Sequence, residues 1–180
     1  GAVTVCEGGA AIDLFTELGG SPDAGGTWSG GLVGGMFDPA VNAAGNYTYT
    51  LNATAPCTSD QSQVVVTIAP APDVGTDANL TVCDQGAAVN LFNSLGGSPD
   101  AGGTWSGGLV GGMYDPAVNT PGAYTYTVTG TSPCGNATAT VTVSETGSPD
   151  AGTDGAVTVC EGGAAIDLFT ELGGSPDAGG

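Results

Sequence analysis

The sequence predicts an all-β protein, a linear array of small antiparallel β-sandwiches with about seven short strands each and Greek-key connections. Three observations lead to this prediction. The chain of 180 residues repeats itself with a period of 77, its apolar residues alternate with polar ones, and turns rich in glycine and proline separate these runs. A period of this length suits a domain that buries a small core of its own, and it is too long for a solenoid repeat.

The cysteines measure the period, because no residue is inserted between equivalent positions. We divide the chain into repeat 1 (residues 1–77), repeat 2 (residues 78–154) and the start of a third repeat (residues 155–180), which is identical in sequence to residues 1–26. We expect more repeats to follow. The first cysteine of a repeat recurs at Cys6, Cys83 and Cys160, and the second at Cys57 and Cys134.

Alternating apolar residues place the strands. Tyr47 and Tyr49 are separated by a threonine, and Val64, Val66 and Ile68 alternate in the same way, so each run predicts a half-buried strand. In repeat 2 the corresponding runs contain Tyr124 and Tyr126, and Ala139, Val141 and Val143. The aromatic residues that we predict to form the core are Trp28, Tyr47, Tyr49, Trp105, Tyr124 and Tyr126.

The start of each repeat is predicted to contribute two more strands. In repeat 1 these are residues 2–5 and residues 11–15. The apolar spacing over residues 13–18 also fits one helical turn. We expect a strand that leads into a turn, because Gly19 and Gly20 follow and the run is too short for a stable helix.

Proline-containing linkers join the repeats, and we expect them to be extended and semi-rigid. They also carry acidic residues. Carboxylate oxygens at a junction between domains are suitable Ca²⁺ ligands, so calcium binding is one hypothesis, and solvated linker charge is the other. The sequence has no EF-hand pattern and predicts no other cofactor. The candidate ligands are Asp73 and Asp77 in the first linker and Asp150 and Asp154 in the second.

The charge of the chain excludes several functions. It has 18 Asp and Glu and no Lys, Arg or His, so its formal net charge is −18. Proteins bind nucleic acid and anionic lipid through Lys and Arg, so neither is an expected partner. We also expect no membrane insertion of this segment, because no run of apolar residues is long enough to span a bilayer.

The same composition argues against an enzyme. Without His or Lys there is no Ser-His-Asp triad, no Cys-His pair and no Schiff-base lysine. Only paired carboxylates remain, Asp23 and Asp38 with their equivalents Asp100 and Asp115, and their positions are typical of turn residues that bond to their own backbone. We therefore predict no catalytic residue.

The cysteines predict structural disulfides, because the chain has no histidine and no pair of cysteines at zinc-binding spacing. The favoured pairing lies within a repeat, Cys6 with Cys57 and Cys83 with Cys134, and leaves the partner of Cys160 outside the segment. Closing such a loop stabilises a repeat by about 4 kcal/mol in the chain-entropy model. The alternative joins Cys6 to Cys134 across two repeats and makes a covalent staple along the array.

Tryptophan occurs once in each complete repeat, at Trp28 and Trp105. On the third strand of a sandwich a tryptophan is usually a central core residue, and this is our prediction. The alternative is an exposed aromatic surface on which a sugar ring stacks.

A set of short motifs recurs along the repeats: VTVCEGG (residues 3–9), GGTWSGG (25–31), FDPA (37–40), GNYTYT (45–50) with GAYTYT (122–127), and the two Pro-Cys pairs. In these motifs the repeat resembles the Ig-like repeats of very large cell-surface adhesins of Bacteroidetes, the group that includes the gliding-motility adhesin SprB. The resemblance covers both complete repeats and the third. It implies Ig-like sandwiches, export by the type IX secretion system, display at the cell surface and a role as stalk.

Two functional hypotheses follow. The first is a structural stalk or filament segment of an extracellular bacterial adhesin or surface fibre, stiffened by disulfides or Ca²⁺. Its expected partners are neighbouring repeats of the same chain and, in a thicker fibre, other copies bound laterally. The second is a glycan-binding module that acts by avidity through the regions of Trp28 and Trp105.

Overall fold

The computed structural model describes residues 1–178 and contains two Ig-like β-sandwiches in tandem. Each repeat has six strands, one fewer than predicted. Repeat 1 contains β1 (Ala2–Cys6), β2 (Ile12–Asp13), β3 (Thr27–Trp28), β4 (Met36–Phe37), β5 (Gly45–Leu51) and β6 (Asp60–Ala69). Repeat 2 contains β7 (Ala78–Cys83), β8 (Val89–Asn90), β9 (Thr104–Trp105), β10 (Met113–Tyr114), β11 (Gly122–Val128) and β12 (Ala137–Thr146).

Each repeat packs a sheet of four strands against a sheet of two. In repeat 1 the larger sheet has the order β1-β6-β5-β3, and the smaller one pairs β2 with β4. The pairs are antiparallel except for β1 and β6, which run parallel from Ala2 beside Val65 to Cys6 beside Ala69. The prediction of a fully antiparallel sandwich is therefore wrong at this pair. The parallel pairing brings the ends of both strands to the same pole of the repeat.

The alternating residues of β5 and β6 form the core. Tyr47, Tyr49, Val64 and Val66 are buried against Phe37 of the smaller sheet. The two tyrosines also satisfy their polar ends, because the Tyr47 hydroxyl donates to the Ala43 carbonyl at 2.7 Å and the Tyr49 hydroxyl to the Asp23 carbonyl at 2.9 Å. The corresponding core residues of repeat 2 are Leu91, Leu95, Leu109, Tyr114, Tyr124, Tyr126, Ala139, Val141 and Val143.

The segment predicted as the second strand is mostly a turn. Its strand β2 has only two residues, and a 3₁₀ helix follows at Leu14–Glu17. The side chain of Asp13 begins this helix by accepting a hydrogen bond from the Phe15 amide at 2.9 Å. A short polar residue at this position stabilises a helical turn. The alternative of one helical turn over residues 13–18 is therefore correct, and the predicted strand is not.

The core of repeat 2 contains a polar contact that repeat 1 lacks. Tyr114 is fully buried, and its hydroxyl donates to a Glu145 carboxylate oxygen at 2.6 Å. Burial and this hydrogen bond raise the pKa of Tyr114 well above its ordinary value. Repeat 1 has Phe37 and Ile68 at the equivalent positions, so the polar pair replaces an apolar one.

The third copy has little regular structure in its described part, residues 155–178. It contains the 3₁₀ helix Leu168–Glu171, which matches Leu14–Glu17 in repeat 1. Residues 156–160 have the sequence of β1 but form no strand. Among the described residues no helix is long and apolar enough to cross a membrane.

Candidate functional site: the junction between repeats

The linker between the repeats lies against repeat 2 and does not cross open solvent. Thr76 pairs with Gly96 in an antiparallel bridge, with N···O distances of 3.0 and 3.2 Å. Gly75 has a φ of 71°, and a Cβ atom there would collide with the Gly96 carbonyl oxygen. Only glycine brings the linker this close, so the semi-rigid linker that we predicted is held by a specific contact.

Asp73 and Asp100 hold the middle of the linker. The Asp100 amide donates to the Asp73 carbonyl at 2.8 Å, and the Asp73 amide donates to the Asp100 side chain at 2.9 Å. The Asp73 side chain in turn accepts from the Gly75 amide at 2.8 Å. These bonds fix the direction in which the chain enters repeat 2.

One disulfide bond joins the two repeats, Cys6 to Cys134, with a Cα–Cα distance of 4.9 Å and a sequence separation of 128. Cys6 ends β1 beside Ala69, at the pole where the linker begins. Cys134 lies in the loop between β11 and β12, and its Sγ is 3.4 Å from the Pro70 carbonyl oxygen. The bond therefore fastens the end of repeat 1 to a loop of repeat 2.

The pairing favoured from the sequence, Cys6 with Cys57 and Cys83 with Cys134, is not the one formed. Cys57 lies in the loop that precedes β6, whereas Cys6 lies beside the end of that strand. β6 has ten residues, so it separates the two cysteines by about 30 Å. A disulfide needs Cα atoms within about 7 Å, and the alternative across repeats satisfies this. Cys57 and Cys83 are exposed free thiols, as is Cys160.

The second linker makes the same contacts with the third copy. Thr153 and Gly173 form an antiparallel bridge with N···O distances of 2.8 and 3.0 Å. The Asp177 amide donates to the Asp150 carbonyl at 2.8 Å, and the Asp150 amide to the Asp177 side chain at 3.0 Å. The contacts of the first junction are thus a property of the repeated sequence.

Asp84 adds a contact at the second junction that repeat 1 lacks. The hydroxyl and the amide of Ser148 donate to Asp84 Oδ1 at 2.7 and 2.9 Å, and these bonds lower the pKa of Asp84 below its ordinary value. Repeat 1 has Glu7 and Ala71 at these positions.

The sequence predicted neither Asp100 nor Gly96 as junction residues. A signal for them exists, because the segment GGSPD occurs unchanged at residues 19–23, 96–100 and 173–177. A tight turn accounts for the proline and the aspartate of this segment. It does not account for why all five residues are unchanged in the three copies.

Three of the four acidic residues proposed as Ca²⁺ ligands bond to backbone amides. Asp73 and Asp150 accept from Gly75 and Gly152, and Asp77 accepts from the Thr140 amide at 2.7 Å. Asp154 is not part of any cluster of acidic residues within the described part of the chain. Within residues 1–178 no three acidic, cysteine or histidine residues come together as a metal site.

Each repeat also has a shallow aromatic pocket of about 530 Å³ beside its tryptophan. Trp28 lies against Tyr49 with ring centroids 5.2 Å apart, and Phe15 meets the same tyrosine edge-on at 5.4 Å. Gly35 forms one wall, because a Cβ atom there would lie 2.9 Å from Trp28 Nε1. Repeat 2 builds the same pocket from Phe92, Trp105 and Tyr126.

The tryptophans are less buried than predicted. Trp28 and Trp105 are half-buried and pack against the edge of the core, whose centre is formed by Leu14 and Phe37 in repeat 1. The reason is that β3 is an edge strand of only two residues, so its side chains are covered on one side only.

Asp38 and Asp115, two of the carboxylates considered as catalytic groups, are turn residues. Asp38 accepts from the Ala40 amide at 2.9 Å, and Asp115 accepts from the Ala117 amide at 3.0 Å.

No family model matches the chain, and no curated protein matches its sequence. Among solved structures it is similar to the I-band fragment I67-I69 from titin, with 14% identity and a TM-score of 0.34, over 82% of this chain and 64% of that one. An E-to-A variant of the same three titin domains gives 14% identity and a TM-score of 0.29, over 73% and 56%. The chain thus spans less than two thirds of these structures.

Proposed function

We propose that this chain is a stalk segment of a long extracellular fibre or adhesin on a bacterial surface. Its repeats are load-bearing spacers that hold an active region away from the cell. The observation that carries the proposal is the junction, in which a disulfide bond and a docked linker both join repeat 1 to repeat 2. A chain of independent domains needs neither contact.

The chemistry of the chain supports an extracellular location. A disulfide with a separation of 128 residues requires an oxidising compartment such as the periplasm or the cell exterior. The absence of Lys and Arg leaves no site for trypsin-like proteases in 180 residues, which suits a protein exposed to the environment. The Bacteroidetes resemblance supports the same location and export by the type IX system.

A scattering experiment in solution distinguishes a rigid stalk from domains that move independently. Small-angle scattering of the chain, with and without a reductant, measures the spread of distances between repeats. We expect one rigid, elongated particle under oxidising conditions and a broader distribution after reduction of Cys6–Cys134. A broad distribution in both conditions would refute the stalk.

A second candidate function is glycan binding, and the repeated aromatic pocket favours it. Half-buried tryptophan beside tyrosine presents an apolar face to solvent, and repetition along a fibre would supply avidity. Titration of tryptophan fluorescence with a panel of soluble glycans tests it. We expect at least one glycan to change the tryptophan emission. Because the double substitution Trp28→Ala and Trp105→Ala removes both tryptophans of the chain, its loss of binding to that glycan is measured by isothermal titration calorimetry. An unchanged spectrum with every glycan would contradict this function.

Lateral association of chains into a thicker fibre is part of the same stalk proposal. β1 and β3 are the edge strands of the larger sheet in repeat 1, and both leave backbone groups free to pair. Electron microscopy at increasing salt concentration tests this, because salt screens the net charge of −18 that opposes association. Single strings at every salt concentration would contradict lateral pairing.

A further inference from the structure

We infer that the aromatic pocket of repeat 1 binds a sugar that carries a free amino group, with the sugar ring against Trp28 and its ammonium group beside the Asp13 carboxylate. The inference rests on the glycan-binding function proposed above and deepens it by naming the class of sugar. Three observations carry it: the aromatic walls of the pocket, a carboxylate that only one of two matching pockets contains, and the absence of cationic side chains.

Three aromatic rings line the pocket of repeat 1. Phe15 and Trp28 both pack on Tyr49, with their ring centroids 5.4 and 5.2 Å from that of the tyrosine. Phe15 and Trp28 are half-buried, so part of each ring is open to solvent. The face of an aromatic ring carries partial negative charge and attracts a cation, and its apolar surface packs against the C–H groups of a sugar. An amino sugar offers both groups.

Asp13 gives this pocket a carboxylate. It lines the pocket together with the aromatic rings, next to the indole of Trp28. A Cβ atom on Gly35 would lie 3.1 Å from Asp13 Oδ1 and 2.9 Å from Trp28 Nε1, so glycine leaves open the space between the carboxylate and the indole. Asp13 Oδ1 accepts from the Phe15 amide, and no group in residues 1–178 donates to Oδ2. This second oxygen is therefore free to accept from an ammonium group.

Repeat 2 has the same pocket without the charge. Residues 24–35 and residues 101–112 are identical in sequence, and both pockets have a volume of about 530 Å³. Asn90 stands in the place of Asp13 and lines the second pocket. It also begins the next 3₁₀ helix, because its side chain accepts from the Phe92 amide at 3.0 Å. The helical turn thus forms with either residue, and the negative charge of Asp13 is available for a ligand.

The charge of the protein favours a cationic ligand over other sugars. The sequence has no Lys, Arg or His, so no side chain neutralises Asp13, and a net charge of −18 attracts cations and repels acidic glycans. A metal ion fits this pocket less well, because Ca²⁺ takes six or more oxygen ligands and no three acidic, cysteine or histidine residues come together within residues 1–178. An organic ammonium group needs only one carboxylate and an aromatic face.

The two tryptophans allow the two pockets to be observed separately. They are the only tryptophans of the chain, so the ¹⁵N-labelled protein has one indole N–H signal for each pocket, and Trp105→Phe assigns them. The probes are the methyl glycosides of glucosamine and of N-acetylglucosamine, which share a ring but differ in charge. We expect the glucosamine probe to shift the Trp28 signal with a Kd about fivefold lower than at Trp105. The acetylated probe should bind both pockets alike.

Exchanging the two polar residues provides matched variants. Asp13→Asn and Asn90→Asp each introduce the residue that already begins the equivalent helix in the other repeat, so both variants should fold. We expect Asp13→Asn to raise the Kd of the glucosamine probe at Trp28 about fivefold, and Asn90→Asp to lower it at Trp105 by the same factor. Asp38→Asn removes a charge outside the pocket and should leave both values unchanged.

Equal affinity of the two probes at Trp28 would overturn the inference, as would an affinity for the glucosamine probe that Asp13→Asn leaves unchanged. In both cases the pocket binds sugars without selecting the amino group, and the glycan-binding function stands. Unchanged indole signals with both probes would also refute the inference. The panel of soluble glycans then decides separately whether the pocket binds any other sugar.

Discussion

Residues 1–24 and residues 155–178 have the same sequence, yet the structure gives them different environments. Val5 is 6% exposed, and its counterpart Val159 is 60% exposed. Leu14 is fully buried, and its counterpart Leu168 is 65% exposed. The first copy lies beside β6 and under the core tyrosines, whereas the described part of the third copy has no such strand beside it.

One feature is common to both copies, the 3₁₀ helix begun by an aspartate. Asp13 accepts from the Phe15 amide at 2.9 Å, and Asp167 accepts from the Phe169 amide at 3.0 Å. The comparison separates two kinds of structure. A capped turn needs only its neighbours in sequence, whereas β1 needs a strand some 60 residues away, which the sequence of β1 does not specify.

The largest expected difference between the copies concerns their cysteines. Cys6→Ser removes the disulfide to Cys134, whose loop of 128 residues contributes about 5 kcal/mol in the chain-entropy model. We expect a large fall in the free energy of unfolding, measured by denaturant titration under non-reducing conditions. Cys160→Ser is the matched control and should have no effect, because that thiol is free and exposed. Equal effects of the two substitutions would contradict the structure.

The second difference is hydrophobic burial. Leu14→Ala should cost about 3 kcal/mol of unfolding free energy, because it leaves a cavity in the core of repeat 1. Leu168→Ala makes the same chemical change at an exposed position and should cost less than about 0.5 kcal/mol. Thermal unfolding of both variants measures the difference. A comparable loss from Leu168→Ala would show that the third copy is packed in solution.

The capped turn should respond alike in both copies. Asp13→Ala and Asp167→Ala each remove the cap of a 3₁₀ helix and should destabilise that turn by about 1 kcal/mol. Hydrogen exchange at the Phe15 and Phe169 amides measures it, and we expect faster exchange at both. Faster exchange at Phe15 alone would mean that the turn, like the strand, depends on the fold.

The smallest expected effect is a pH dependence at the second junction. Hydrogen bonds from Ser148 lower the pKa of folded Asp84 below the value of 3.8 for a free aspartate. Their contribution to stability is therefore complete above the unfolded pKa and is lost as the pH falls through the folded one. We expect Ser148→Ala to flatten the acid limb of the stability profile below about pH 4. An unchanged profile would contradict this role for Ser148.

The sequence was sufficient for the features that depend on pattern. Alternation placed β5 and β6, and together with the turns between the runs it predicted the β-sandwich fold. It was insufficient for the parallel pairing of β1 with β6 and for the burial of Trp28, because both depend on which strand lies at the edge of a sheet.

The disulfide shows the same limit. The sequence shows the two cysteines of a repeat only as a pair that is 51 residues apart. It does not show that they lie at opposite poles of the repeat. Whether the bond closes within a repeat or between repeats depends on the length of β6 and on the loop that the next repeat brings to Cys6. Neither follows from local patterns, so sequence reasoning left both pairings open.

The central claim is that neighbouring repeats are joined covalently, and peptide mapping under non-reducing conditions tests it most directly. After cleavage before Asp and after Glu, the account predicts that residues 1–7, which contain Cys6, are linked to residues 115–145, which contain Cys134. A link between residues 1–7 and residues 38–59, which contain Cys57, would place the disulfide within repeat 1 and contradict the account.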